Sequence, residues 1–273
     1  MGASGLDGLG RHAAASLSLR GSQDSRSDWE PAMTTNLSLL ELDAASYPEL
    51  RDAILVAVAS GEALPGEPRS YPGYPCWALD RVRPRLWGSL DRVLARRRCL
   101  RELSPELPSR RVISRLLQAG HWITGPLAAG PVPSAGGLQA LELYLVVFEP
   151  GWLPSGLYHY DRVGHHLSQI AAGASRADWD RLSPSLGLIR GGAFLWVLIG
   201  DRECVARKYG ERAVRFLLQE AGHLMQNLCL LSASLGLVTV PLGGYFERAI
   251  ARQFVLPRTD LVLYLGVCGR PRM

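Results

Sequence analysis

One stretch, Val205 to Phe246, constrains the fold more than any other. From Glu211 to Leu235 apolar residues recur at Val214, Leu217/Leu218, Ala221, Leu224/Met225, Leu228, Leu231 and Leu235. That is the three-then-four spacing of a helix. About 25 residues make a rod of roughly 38 Å, long enough to cross a whole domain. Its other face is only weakly polar (Ala213, Gly222, Cys229, Ser232, Ser234), so the helix reads as central and mostly buried. Gly236 ends it as a C-cap glycine does. A short β-type run, Val238-Thr239-Val240, then leads into Pro241-Leu242-Gly243-Gly244. Two glycines behind a buried strand let backbone approach something flat or crowded.

Around this rod the other elements alternate irregularly. Residues 1–35 are rich in Gly, Ser and Arg and read as a flexible tail. Residues 36–93 read as a mainly helical extension, interrupted by a loop at Pro65, Pro68, Pro72 and Pro75 and helical again over Leu86–Leu100. The main domain spans 94–273. Its expected helices are Ser109–Trp122, Ala174–Leu182 and Tyr245–Phe254. Its expected strands are Leu138–Phe148, Ala193–Ile199 and Leu261–Val267, with a hairpin of Gly156–Tyr160 and His166–Ile170 turning at Arg162–Gly164. Strands mixed with helices, without βαβ alternation, predict an α+β fold with a central mixed or antiparallel sheet and a long central helix.

Charge and cysteine usage exclude several classes. The net charge is +5, but only Arg96-Arg97-Arg98 forms a run. No aromatic-interleaved basic stripe points to nucleic acid. Five cysteines, odd in number and without CxxC, fit reduced thiols in the cytoplasm rather than a disulfide framework or a zinc ribbon. The N-terminus has no secretory pattern, and Leu6 breaks the myristoylation pattern after Met1-Gly2. No run approaches 18 apolar residues, so no membrane span is expected. His165-His166 lack a third ligand at metal spacing and read as a surface pair, so no metal site is expected. His223 reads as a hydrogen-bonded core or interface histidine. Glu220 and Asn227 read as partners for buried backbone or dimer contacts, and Trp152, Trp179 and Trp196 as packing.

Lys208 is the only lysine among 30 Lys and Arg residues. Arginine does not deprotonate in proteins, whereas lysine does when its surroundings lower its pKa. A chain that uses Arg for every other cation but Lys beside Tyr209 has two adjacent proton-handling groups there. An Arg-rich coding bias with one survivor is the plain alternative. Three further features fit a flat anionic ligand. Arg97, Arg98 and Arg101, around Cys99, either fork onto a phosphate or form a solvated basic turn. Pro133-Ser134-Ala135-Gly136-Gly137 combines small side chains with free amides. Arg270-Pro271-Arg272 follows a buried strand.

The segments Arg97-Arg98-Cys99-Leu100-Arg101, PSAGGLQALELY from Pro133, GLYHYD from Gly156, KYGERAVRFLLQEAGHLMQNLCLLSASLGL from Lys208, the Gly243-Gly244 pair and Gly269-Arg270-Pro271 occur in that order. The pattern resembles the SagB/ThcOx-type dehydrogenases of the FMN-dependent nitroreductase superfamily, over about residues 94–272. The resemblance implies FMN at a homodimer interface and oxidation of peptide thiazolines and oxazolines to azoles. It implies a precursor peptide and a cyclodehydratase as partners. It places the FMN phosphate and pyrimidine end on Arg97 and Arg101, with Arg98 alongside and Arg270 as a late phosphate contact. Cys99 stands where serine is usual, and a thiol is the weaker donor. Ser134, Ala135 and Gly136 match the loop beside the flavin ring, and Gly243 and Gly244 the backbone near its N5 edge. Lys208 and Tyr209 match the pair on which azoline oxidation depends. A general NAD(P)H-dependent nitroreductase and a non-catalytic scaffold of a cyclodehydratase complex stay open beside this reading.

Overall fold

A computed structural model of the chain describes residues 69–83, 89–123, 130–254 and 256–272. The expected tail and most of the helical extension lie outside the described residues, as do residues 124–129. Within them, elements run β1 (Cys76–Ala78), α1 (Leu90–Arg96), α2 (Arg110–His121), a 3-10 turn (Ala135–Gly137), β2 (Leu141–Val147), β3 (Gly156–Asp161) and β4 (His166–Ala172). Then come α3 (Arg176–Leu182), α4 (Pro184–Gly187), β5 (Phe194–Asp201), α5 (Arg202–Tyr209), a 3-10 turn (Gly210–Arg212), α6 (Ala213–Ser234), β6 (Val238–Leu242), α7 (Glu247–Ala251) and β7 (Asp260–Gly269).

Seven strands form one sheet in the order β1-β4-β3-β2-β5-β7-β6, and every pairing between them is antiparallel. Helices cover both faces. Leu141, Leu143, Leu145 and Val147 of β2 and Phe194, Trp196 and Leu198 of β5 point to one face. There they meet Ile113, Leu116 and Leu117 of α2 and Leu217, Ala221, Leu224 and Leu228 of α6. Tyr144 and Val146, with Leu195, Val197 and Ile199, point to the other face, against Trp179, Leu186, Ile250 and Phe254. Burial on both sides explains why LELYLVVF, Glu142 apart, reads as a continuous apolar run instead of alternating. The α+β fold expected from the sequence is the fold found.

The central helix α6 has 22 residues, or about 33 Å, and Gly236 follows it at φ 72°. Gly210, at φ 57° and ψ −133°, adopts a conformation that only glycine enters cheaply, and it separates the short helix α5 from α6. Asp201 caps α5, its Oδ1 accepting from the Cys204 N–H at 2.9 Å.

Residues 69–83 run along the sheet rather than standing apart as loop and helix. β1 pairs with the edge of β4. Arg69 donates to Asp260 at 2.6 Å and to the Tyr144 hydroxyl at 3.1 Å, and Tyr71 and Tyr144 share a 2.9 Å hydrogen bond. Three residues with Pro72 and Pro75 just before them carry no readable period, so this strand is visible only from its partner. Among the described residues no helix is long and apolar enough to cross a membrane.

Candidate functional site

The site is built where α5, α6 and the 134–139 loop meet. Gly136 sits in the left-handed region at φ 61°. A Cβ there would lie 2.7 Å from Tyr209 Oη and 3.0 Å from Lys208 Nζ, so the loop backbone fills the space next to both polar atoms. Lys208 Nζ is 5.7 Å from the centre of the Tyr209 ring, and that ring packs on Phe216 at 4.6 Å. Burial pushes the Tyr209 phenol above its usual pKa, against the nearby charge of Arg212. At neutral pH it is therefore a hydrogen-bond donor, not a phenolate.

A cavity of about 310 Å³ opens beside Tyr209, lined in part by Pro133, Ser134, Tyr209, Phe216, Glu220 and His223 but not by Lys208. Glu220 forms its buried wall, at 3% exposure. The Ser134 hydroxyl and the Ala135 amide are hydrogen-bonded to its carboxyl, while its Oε1 has no partner among the described residues. Burial raises its pKa to about 7, against Ser134, Arg162 and Ala135, which lower it. Thus Glu220 only half satisfies the backbone role its sequence context implies. Asn227 does bond backbone, donating to Pro131 O at 3.3 Å. His223 is exposed on the cavity rim and not in the core.

The expected phosphate residues gather elsewhere. Arg97, Arg98, Cys99 and Arg101 follow α1 and, like Arg270, lie half-buried or exposed. Arg97 and Cys99 come close enough to the Cys229 thiol, far along α6, to affect its ionisation. Arg101 and Arg270 are brought together by a short backbone ladder: Arg101 O accepts from Arg190 N at 2.7 Å, and Arg270 O accepts from Ser104 N at 2.8 Å. None of Arg97, Arg98, Arg101 and Arg270 forms an ion pair among the described residues. Gly243 has open space where a side chain would be, and a Cβ at Gly244 would lie 2.4 Å from Ser185 Oγ. The Gly244 amide donates to Ser185 Oγ at 3.0 Å and its carbonyl accepts from Ser183 Oγ at 2.8 Å, which fixes the segment and leaves Gly243 open. Guanidiniums without ion pairs and an open backbone at Gly243 suit a planar ligand with a phosphate, so these residues fit FMN.

The two sets do not meet within one chain. Glu220 and Cys229 are nine residues apart on α6, about 14 Å along its axis, and none of the arginines or Gly243-Gly244 lines the cavity. Two other side chains, in the turn between β3 and β4, sit where the sequence does not place them. Arg162 lies in the β3–β4 turn, a place that normally faces water, yet it is buried at 2% exposure and donates to Gln139 O. His165, expected on the surface, is also buried, bonded to Tyr160 Oη at 2.8 Å and to Asp80 O at 3.1 Å. Both are buried because the turn folds against α2 and the β1 segment.

Comparison with known proteins agrees with this architecture. Residues 94–270 match the model of the nitroreductase family. A protein of Methanocaldococcus jannaschii named as a nitroreductase is 28% identical over 186 residues, covering 64% of this chain and 88% of the relative. The trifolitoxin operon protein TfxC of Rhizobium leguminosarum bv. trifolii is 29% identical over 137 residues, but these span 48% of this chain and only 38% of that protein. A nitroreductase crystal structure from Anabaena variabilis superposes with TM-score 0.65 at 25% identity, covering 74% of this chain and 42% of that one. A chain of the E. coli microcin synthetase McbBCD complex, solved with truncated pro-MccB17 bound, superposes with TM-score 0.55 at 21% identity, over 90% of this chain and 100% of that one. With more than half of its length matched by the family model, and with the sheet and central helix in place, the chain belongs to the nitroreductase family.

Proposed function

We propose that the protein is an FMN-dependent dehydrogenase that oxidises thiazoline or oxazoline rings of a ribosomal precursor peptide to azoles. The observation that carries this reading is the placement of the one lysine, with Tyr209, against Gly136, where Tyr209 lines the cavity. Arg97, Arg98, Arg101 and Arg270 would hold the FMN phosphate, and the Gly243-Gly244 backbone and Ser134-Ala135-Gly136 loop would flank its ring. The microcin synthetase chain and the trifolitoxin operon protein support a peptide substrate and synthetase partners such as a cyclodehydratase.

Because the arginine set and the lysine set lie apart on one chain, a second copy brings them together in this reading. Exposed Leu90 and Leu94 on one face of α1 supply apolar surface for such a contact. FMN, when bound, supplies the hydride acceptor. Lys208 in its amine form takes the proton from the azoline ring, so that a hydride and a proton leave and the ring becomes aromatic. Tyr209, kept protonated by burial, donates a hydrogen bond that orients the ring.

The test is a Lys208→Arg variant assayed on an azoline peptide. Arginine keeps the charge but cannot act as the base, so azole formation should fall by about 100-fold or more while FMN stays bound. A second reading, a general NAD(P)H-dependent nitroreductase, is favoured by the archaeal relative's name and 88% coverage. It predicts unchanged turnover of small nitro compounds in the same variant and no azole product from the native protein.

A further inference from the structure

The 134–139 loop is held in an unfavourable conformation. Gly136 and Gly137 lie at φ 61° and 69°, and Gln139, which has a side chain, at φ 52°. A non-glycine residue there costs on the order of 1 kcal/mol or more and persists only where its surroundings hold it. Two buried charged groups grip this loop. On one side the Glu220 carboxyl takes hydrogen bonds from Ser134 and Ala135. Ser134 Oγ in turn accepts from the Gln139 N–H at 2.8 Å. On the other side Arg162 donates to Gln139 O. Both charged groups retain unpartnered atoms among the described residues: Oε1 of Glu220, and Nε and Nη1 of Arg162. Between the two grips lies Gly136, against Lys208 Nζ and Tyr209 Oη.

We propose that Glu220 is a positioning residue: by holding Ser134 and Ala135 it sets where the Gly136 backbone meets Lys208 and Tyr209. It does not touch the reacting atoms. The proposal rests on the functional reading only for the importance of that pair. The latch is sensitive to protonation, because the ionised carboxylate is the stronger acceptor of the Ser134 and Ala135 hydrogens. Burial brings the carboxyl to about 7, so the change falls near neutrality. The other charged or titratable groups near it are Arg162 from the β3–β4 turn and, along the cavity wall, Tyr209 of α5 and His223 of α6; Lys208 of α5 and Arg212 from the turn before α6 stand beside Tyr209. Beyond Arg162 stands His121 of α2, which burial keeps neutral by pushing it down to about 3.

The single lysine gives a direct readout. Protein labelled with carbon-13 at lysine Cε, without a lysine-containing tag, has one lysine Cε signal, that of Lys208. Its chemical shift is followed against pH with no substrate or cofactor present. An inflection near pH 7 is expected in the native protein. Glu220→Gln should abolish it, His223→Gln should leave it, and Ser134→Ala, which cuts the link through the loop, should remove or strongly reduce it. The proposal is overturned by a native signal with no such inflection, by one that survives in Glu220→Gln, or by one lost in His223→Gln. If Glu220→Gln does not fold, Ser134→Ala decides: an undiminished inflection there means that Glu220 does not act through the loop. Failure of azole formation would overturn the function and leave this outcome standing, so the two fail separately.

Discussion

Lys208 stood out in the sequence by composition, and the structure adds its neighbours. As the only lysine among 30 Lys and Arg residues, it could be singled out from the sequence alone. The Ser134–Gly136 loop was legible from its small residues. What joins them, a glycine in the left-handed region facing Nζ and Oη, depends on side-chain packing 72 positions apart in the chain. Glu220 was seen as a buried acceptor, but its half-satisfied state was not, because spacing along a helix reports which face is buried and not what lies opposite. Its stability signature follows from linkage. Its folded pKa of about 7 lies above the unfolded 4.5, so the native state binds more protons between those values. Glu220 therefore favours the fold below about pH 4.5 relative to higher pH, and that advantage is lost as pH rises through 7, by up to about 3 kcal/mol. Glu220→Gln should accordingly gain in relative stability from pH 5 to pH 8 in paired urea titrations. A constant offset between the two proteins would contradict the assigned shift.

Among the elements, α6 was the most legible because a long buried helix must repeat its apolar face every three to four residues. Its inward residues Leu217, Leu224 and Leu228 are fully buried against the sheet. Leu224→Ala should cost about 2–5 kcal/mol, read as a lower denaturation midpoint with an unchanged slope. A loss under 1 kcal/mol would mean that the helix does not seat on the sheet as described. The short elements were the obscure ones. β1, with three residues, and α4, with four, are too brief to show a period. The short helix α5 was not foreseen, because its eight residues bury only Cys204 and Val205 and show no sustained period.

For the whole molecule, the separation of the arginine set from the cavity makes assembly the central question. If two copies share each site, one chain supplies Arg101 and Arg270 and the other Lys208. Mixing an Arg101→Ala/Arg270→Ala variant with a Lys208→Arg variant, after subunit exchange, should restore about a quarter of native azole formation, since half of the dimers would carry one intact site. No recovery in a mixture proven to exchange would place all of the residues on one chain. The apolar runs, the long helix, the hairpin and the odd lysine follow from local periodicity and residue chemistry, both of which are properties of neighbouring residues along the chain. The edge strand at Cys76–Ala78, the buried turn at Arg162 and His165, and the grip of Glu220 on the loop follow from contacts between distant segments. Their energies depend on burial and on the distances set by the sheet order, neither of which is written in any single stretch.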